Sequence, residues 1–403
     1  MQFISGNVCA ARGFLASGMH CGIRRNKSKL DLALVYSEQR AAAAAVYTQN
    51  LVKGAPLYVC RENLADGMAQ AILCNSGNAN TCNLDGIEVA QKMCALAGAA
   101  LSISPKDVVV GSTGVIGQRL DISPIAAGIP HLAKTLAPDG TDAMHAIMTT
   151  DTRDKGEAVE FQLGGASCRL GGIAKGSGMI HPNMATMLVY LTTDCAISPE
   201  MLQKALSKET ETTFNMISVD GDTSTNDMVC VLANGMAGNS EIEKPGPEFD
   251  VFCEALNAVM RSLSRKIAAD GEGASKLIEC VAKGAKDWDT AKKVSKSVVC
   301  SSLTKAAMFG ADANWGRVLC AIGYAGADVD VQKIDVRFQS AAGEILVCEN
   351  GAGVDFSEEK AKEILLKDEI TILVDLKDGA ETATAFGCDL TYDYVKINGD
   401  YRT

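Results

Sequence analysis

The residues best suited to chemistry concentrate where Ala185 meets Thr186, a small residue followed by a hydroxyl nucleophile. A threonine hydroxyl can attack the carbonyl of the peptide bond before it when the backbone there is held under strain. Ala185 offers little bulk against that attack. Hydrolysis of the resulting ester frees an α-amine on Thr186. That amine, with a reference pKa of about 8, lies beside the Thr186 hydroxyl and can serve as its general base. Upstream, Gly172, Gly176 and Gly178 bracket Lys175. Residues 172–184 are rich in Gly, Pro and Asn and read as a loop bending close to something. Residues 187–193 are apolar and β-prone and read as a buried strand. The competing reading is a loop entering a core strand, with Thr186 an ordinary β-branched strand starter.

Three further positions carry a chemical reading beside a plainer one. Gly111-Ser-Thr-Gly-Val-Ile-Gly117 follows a short apolar run. Its small residues leave backbone N–H groups and the Thr113 hydroxyl free to face a developing oxyanion, although a tight strand-to-helix turn would look the same. Lys175 among glycines could hold a carboxylate or be a surface lysine. Glu272, between two glycines, could hold a substrate ammonium or be a solvated loop carboxylate. Other motifs fail on inspection. The Gly111 loop lacks the Gly-Lys-Ser/Thr ending of a phosphate loop. After Gly176-Ser-Gly178, His181 stands where a dinucleotide fingerprint needs its third glycine. Asp220-Gly-Asp-Thr-Ser-Thr-Asn226 imitates a calcium loop, but Thr225 replaces its glycine and Val231 its closing glutamate.

Composition narrows the class. The chain has 403 residues, 47% of them hydrophobic, enough for a large core and two lobes. A net charge of −11 without a Lys/Arg block argues against nucleic acid as partner. No apolar run approaches a membrane span, and the first residues lack the charged start and apolar core of a signal peptide. A cytoplasmic protein is expected. The 15 cysteines contain no C-x-x-C spacing, and with only four histidines neither a zinc site nor a Ser-His-Asp apparatus is expected. Cysteines such as Cys74, Cys230 and Cys320 sit in apolar segments and read as small buried thiols.

The elements that must position these residues alternate. Strands are expected over residues 30–36, 71–74, 108–110, 187–193, 228–233 and 370–376. Helices are expected over 86–100, from the Ser198 cap and Pro199 to about 214, over 247–269, within 301–324 and over 358–367. The tail 396–403 is polar, as frayed termini usually are. Alternation of this kind indicates an α/β or α+β layered fold.

The segment Lys175-Gly-Ser-Gly-Met-Ile-His-Pro-Asn-Met-Ala-Thr-Met-Leu188 resembles the self-cleavage site of the glutamate N-acetyltransferase family, also called ornithine acetyltransferases. Further blocks resemble the same family in its order along nearly the whole chain. They are Cys74-Asn-Ser-Gly-Asn-Ala-Asn80, Gly111 to Gly117, Met148-Thr-Thr-Asp-Thr152, Ser218 to Asp227, Gly271-Glu-Gly-Ala-Ser-Lys276, Gly310-Ala-Asp-Ala-Asn-Trp-Gly-Arg317 and Ile397-Asn-Gly-Asp-Tyr-Arg-Thr403. Gly399, where Ala is commoner, and Ser275, where Thr is frequent, are small departures.

The resemblance implies a layered α/β sandwich with a second, smaller α/β lobe. It implies cleavage between Ala185 and Thr186 into an α chain (1–185) and a β chain (186–403) that stay together as one catalytic unit. Acetyl would pass from N2-acetyl-L-ornithine to Thr186 and then to L-glutamate in a ping-pong reaction of arginine biosynthesis. The oxyanion pair falls on Thr113 and Gly114. Substrate contacts fall on Thr149, Lys175, Thr186, Glu272, Asn398 and Thr403; Thr150 competes with Thr149 for its place. No metal or cofactor is implied, acetyl-CoA being a further substrate in the bifunctional form of the family. A dimer of α/β pairs, α2β2, is the implied assembly. The alternatives are a monofunctional ornithine acetyltransferase, a related self-cleaving aminopeptidase or amidohydrolase that passes the acyl group to water, and a non-enzymatic binding protein.

Overall fold

The computed structural model describes residues 1–181 and 187–399. Among them, a nine-stranded sheet runs Gln2–Ile4, Gly156–Leu163, Ala166–Lys175, Leu188–Thr193, Met228–Ala233, Leu32–Tyr47, Met68–Asn78, Val108–Val115, with Phe14–Met19 also paired to Leu32–Tyr47. Leu188–Thr193 and Met228–Ala233 lie parallel near its centre, and every residue of both is buried. The reason is that both faces are covered. Leu188 and Tyr190 join one core with Ala90 and Met93 of the helix Gly86–Leu101. Val189 and Leu191 join the other with Leu202 and Leu206 of Pro199–Thr212 and Leu256 and Leu263 of Pro247–Ala269. A strand buried on both faces needs a continuous apolar run rather than alternation, and that is what the sequence supplies there.

A second sheet of seven strands runs Ala352–Gly353, Gly343–Glu349, Asp335–Ser340, Glu369–Asp375, Leu277–Ala285, Glu381–Cys388, Ile217–Ser218. Phe386 and Cys388 turn toward the core that holds the helix Pro247–Ala269. Ala383 and Ala385 turn the other way, toward Val294 and Val298 of the helix Trp288–Cys300. The long helix is thus a shared filling between two sheets, and the architecture is the expected layered α/β fold with a smaller second lobe. Every strand of the smaller sheet follows residue 186, whereas the large sheet takes strands from both sides of it.

Three expectations are corrected. Gly172 to Lys175 are not loop: they end the strand Ala166–Lys175, paired throughout with Leu188–Thr193 and, at Gly172 and Ile173, with Gly156–Leu163 as well. Its glycines serve close packing, since a Cβ on Gly171 would lie 2.1 Å from the Asn7 carbonyl oxygen and one on Gly172 2.4 Å from Leu191. The strand expected over 108–110 extends to Val115, because its parallel neighbour Met68–Asn78 carries the ladder on through the glycines. The strand expected over 30–36 reaches Tyr47, since the alanine run there is narrow enough to pair on both sides. The tail begins as a helix, Tyr392–Gly399.

Candidate active site

The end of the strand Val108–Val115 presents Thr113 and Gly114. Gly114 has φ +129°, and a Cβ there would lie 2.3 Å from the Gly77 carbonyl carbon. Only glycine fits both demands. The strand end is held from outside by Asn226, whose Nδ2 donates to the carbonyls of Ser112 (3.0 Å) and Ala79 (2.5 Å). The Asn226 Oδ1 accepts from the hydroxyls of Thr81 and Thr225 at 2.5 and 2.6 Å. A fully occupied side-chain amide of this kind fixes backbone that its own ladder leaves loose.

Lys175, 8% exposed, closes the strand Ala166–Lys175 and brings its Nζ to 3.5 Å from Thr113 Oγ1. Behind it lies a buried ionic cluster. Lys155 donates to Asp151 Oδ1 at 2.8 Å and to Asp270 Oδ2. Asp151 also accepts the amides of Gly176 (2.7 Å) and Thr149 (2.9 Å). Asp270 accepts the amides of Thr152 (3.0 Å) and Arg153 (3.2 Å) and the Thr152 hydroxyl. Burial alone would raise the Asp151 carboxyl, but Lys155 and Lys175 outweigh it and hold the group well below the usual carboxylate range. This cluster ties the Thr149 turn, the Lys175 strand end and the turn after Ala269 into one frame.

On the far side, the Glu272 amide donates to the Ser177 carbonyl at 3.0 Å, and its Oε2 accepts from Asn398 Nδ2 at 2.8 Å. A Cβ on Gly178 would lie 2.3 Å from the Glu272 carboxylate. Gly273, at φ +70°, lets the helix Tyr392–Gly399 approach, for a Cβ would meet the Tyr394 amide nitrogen at 2.6 Å. The tail is therefore ordered at least as far as Asn398, against the ordinary behaviour of termini.

These pieces enclose one cavity of about 360 Å³ lined by Thr113, Gly114, Thr149, Lys175, Glu272 and Asn398. Thr150 lines it as well. Thr149 is the more buried of the two and is fixed through its amide by Asp151. Thr186, Ala185 and Thr403 lie outside the described residues. The other walls include Ala79, Ser224, Thr225 and Asn226, to which reading by residue type gave no role. By residue type the stretch Asp220–Asn226 reads only as an imitation of a calcium loop. Asp220 instead accepts the amides of Met179 (2.6 Å) and Ile180 (2.9 Å), pinning the turn beyond Lys175. The resemblance block ending at Asp227 was the signal for these residues. Lys155 and Asp270 had none, being 115 residues apart. Next to this turn His181 is half-buried; desolvation first, then the cation of Lys296, pulls its pKa down to about 4.

The family model described as the ArgJ family matches residues 15–403. The arginine biosynthesis bifunctional protein ArgJ of Caldanaerobacter subterraneus subsp. tengcongensis is 51% identical over 405 residues, covering all of both chains. The protein of the same name from Symbiobacterium thermophilum is 49% identical, also over all of both. Among solved structures, the arginine biosynthesis bifunctional protein argJ of Bacillus halodurans is 46% identical with a TM-score of 0.50, covering 54% of this chain and 100% of its own.

Proposed function

The chain belongs to the ArgJ family, and on that premise we propose that it moves an acetyl group from N2-acetyl-L-ornithine to L-glutamate through an ester on Thr186. The observation that carries this reading is the convergence of Thr113, Gly114, Thr149, Lys175, Glu272 and Asn398 on one cavity. Met187, bonded to Thr186, lines a smaller cavity that shares Thr113 and Lys175.

Self-cleavage frees the α-amine of Thr186, which takes the proton of its own hydroxyl as Oγ attacks the acetyl carbonyl. The carbonyl oxygen becomes an oxyanion facing the Thr113 hydroxyl and the Gly114 amide, where fixed donors stabilise developing charge without reorganising. The ammonium then returns the proton to the departing ornithine nitrogen. Glutamate attacks the ester in the second half and leaves as N-acetyl-L-glutamate. Ornithine and glutamate share an α-carbon skeleton and differ in side-chain charge. Lys175 suits their common carboxylate and Glu272 the ornithine ammonium. In length, residues 186–403 make up 54% of the chain, the same share that the whole solved Bacillus halodurans chain matches, which supports two chains parting before Thr186.

Acetyl-CoA is a second donor in this proposal, supported by the word bifunctional in the names of the relatives. The assembly is α2β2 and cytoplasmic. No helix among the described residues is long and apolar enough to cross a membrane. Intact mass of the purified protein, alone and after incubation with each donor, tests the whole scheme. Two chains parting at Ala185/Thr186, with one acetyl on the Thr186 chain from either donor, is the expected result. Acetyl from N2-acetylornithine alone would make it a monofunctional recycling enzyme. Donor turnover that glutamate does not accelerate would make it an amidohydrolase. A single chain that takes up no acetyl would overturn the nucleophile.

A further inference from the structure

Asp227 is a buried carboxyl to which acetyl transfer, as set out above, assigns no task. It precedes the strand Met228–Ala233, which pairs in parallel with Leu188–Thr193 so that Met228 stands beside Leu188. The Met228 amide donates to the Met187 carbonyl at 2.9 Å. Asp227 and Met187 line the same small cavity of about 30 Å³, with Thr113 and Lys175 on its other walls. That is room for about one water molecule or one amine nitrogen. Asp227 Oδ2 is buried without a hydrogen-bond partner among the described residues. Leaving such an oxygen unsatisfied is destabilising.

The neighbours say what is missing. Among the described residues, Lys175 is the cation that acts on this carboxyl; Thr48, whose amide donates to the Asp227 carbonyl at 3.1 Å, and Ser224 and Asn226 do not titrate. Burial pushes the carboxyl well above the usual range, and the Ser224 hydroxyl and Lys175 recover only part of that. A second cation would complete the site. Cleavage before Thr186 creates one on the residue bonded to Met187.

We propose that Asp227 is a positioning residue for the nucleophile, its Oδ2 accepting a hydrogen bond from the α-amine that self-cleavage frees on Thr186. The proposal rests on the acetyl-transfer reading. On maturation the carboxyl gives its proton to the new amine, and the pair settles as carboxylate and ammonium. The ammonium loses that proton to solvent before it can act as base. In each turnover the amine takes the Oγ proton as the Oγ–acetyl bond forms, and the cation is held by Asp227. It gives the proton to the departing nitrogen as the acetyl–nitrogen bond breaks. Asp227 is ionised before and after.

A neighbouring carboxylate favours the charged amine, so the amine of the cleaved protein titrates above the ordinary value of about 8. The test is Asp227→Asn, with cleavage followed by intact mass and acetyl transfer from N2-acetylornithine to glutamate followed against pH. The expected result is a cleaved variant whose plateau kcat falls about tenfold or more and whose acid limb moves about one unit to lower pH. A cleaved variant with the parent's pH profile overturns the proposal. Should the variant fail to fold or cleave, the parent decides: the rate of reductive methylation of the Thr186 amine against pH has its midpoint above about 8 if Asp227 holds the amine, and at or below it if not. A parent that stays uncleaved or takes up no acetyl overturns the acetyl-transfer reading and this role with it. An active parent with an unshifted Asp227→Asn profile overturns this role alone.

Discussion

Lys155 and Lys175 occupy neighbouring positions in space and share the influence of Asp151, yet the fold treats them in opposite ways. Lys155 is fully buried and ion-paired to Asp151 and Asp270. Lys175 faces the cavity and makes no ion pair among the described residues, and neither does Glu272 across from it. Charges satisfied by the protein hold three chain segments in register. Charges left unsatisfied around a cavity keep their attraction for a substrate that carries the complementary groups. In the proposed reaction the same residue type is thus a strut at Lys155 and a substrate receptor at Lys175, and the count of partners separates the two.

Stability measurements break or confirm that contrast most directly. Lys155→Met leaves two buried carboxylates uncompensated and is expected to cost about 3–5 kcal/mol in urea unfolding. Lys175→Met is expected to cost about 1 kcal/mol or less while abolishing substrate saturation, since it removes no ion pair. Equal losses would erase the distinction between strut and receptor. Thr113→Val should lower kcat about 10²–10³-fold at nearly unchanged stability, read from the rate of acetyl uptake on the Thr186 chain; a kcat within threefold would remove Thr113 from the oxyanion site.

Glu272→Gln sharpens the receptor side. It should raise KM for N2-acetylornithine about ten- to a hundredfold and move KM for glutamate less, because only the first substrate brings a side-chain ammonium. Gly178→Ala should act in the same direction, its Cβ displacing the Glu272 carboxylate that lies 2.3 Å away. Equal shifts for both substrates would show that Glu272 does not read the charge.

The smallest expected effect is a pH dependence, measured by unfolding a Thr186→Ala chain held uncleaved. Asp151 titrates below its unfolded value, so its contribution is present above about pH 4 and is lost as pH falls through the lower folded pKa. Asp227 titrates above its unfolded value, so its contribution is present below about pH 4 and is lost as pH rises toward the higher folded pKa. Asp151→Asn and Asp227→Asn should therefore change the slope of stability against pH in opposite senses. Slopes changed in the same sense would mean that the two carboxyls are not the strut and the orphan described above.

How much of this was legible beforehand differs by residue. The buried strand at 187–193 was readable because two covered faces demand an unbroken apolar run, and the structure gives Leu188–Thr193. The helix at 247–269 was readable from its Pro start and apolar spacing, and its bounds are those found. The glycine at 172 misled, because a glycine required by a neighbour's approach has the same letter as one required by a turn. Thr113 and Gly114 were legible as small residues after a strand, but that Gly114 must be glycine follows only from the 2.3 Å approach to Gly77.

The sequence by itself determined the class of fold, the alternation of elements, the absence of metal-binding spacing and the set of blocks that carry the family likeness, since each is written in local order. It also named six of the residues that prove to share a cavity. The tertiary structure alone decided that Lys155 and Asp270, 115 residues apart, form one buried cluster, that the tail returns as a helix to place Asn398 on Glu272, and that Asp227 stands against Met187 with an oxygen to spare. Pairing charges over such separations depends on where the chain folds back. No local pattern in a sequence encodes that distance.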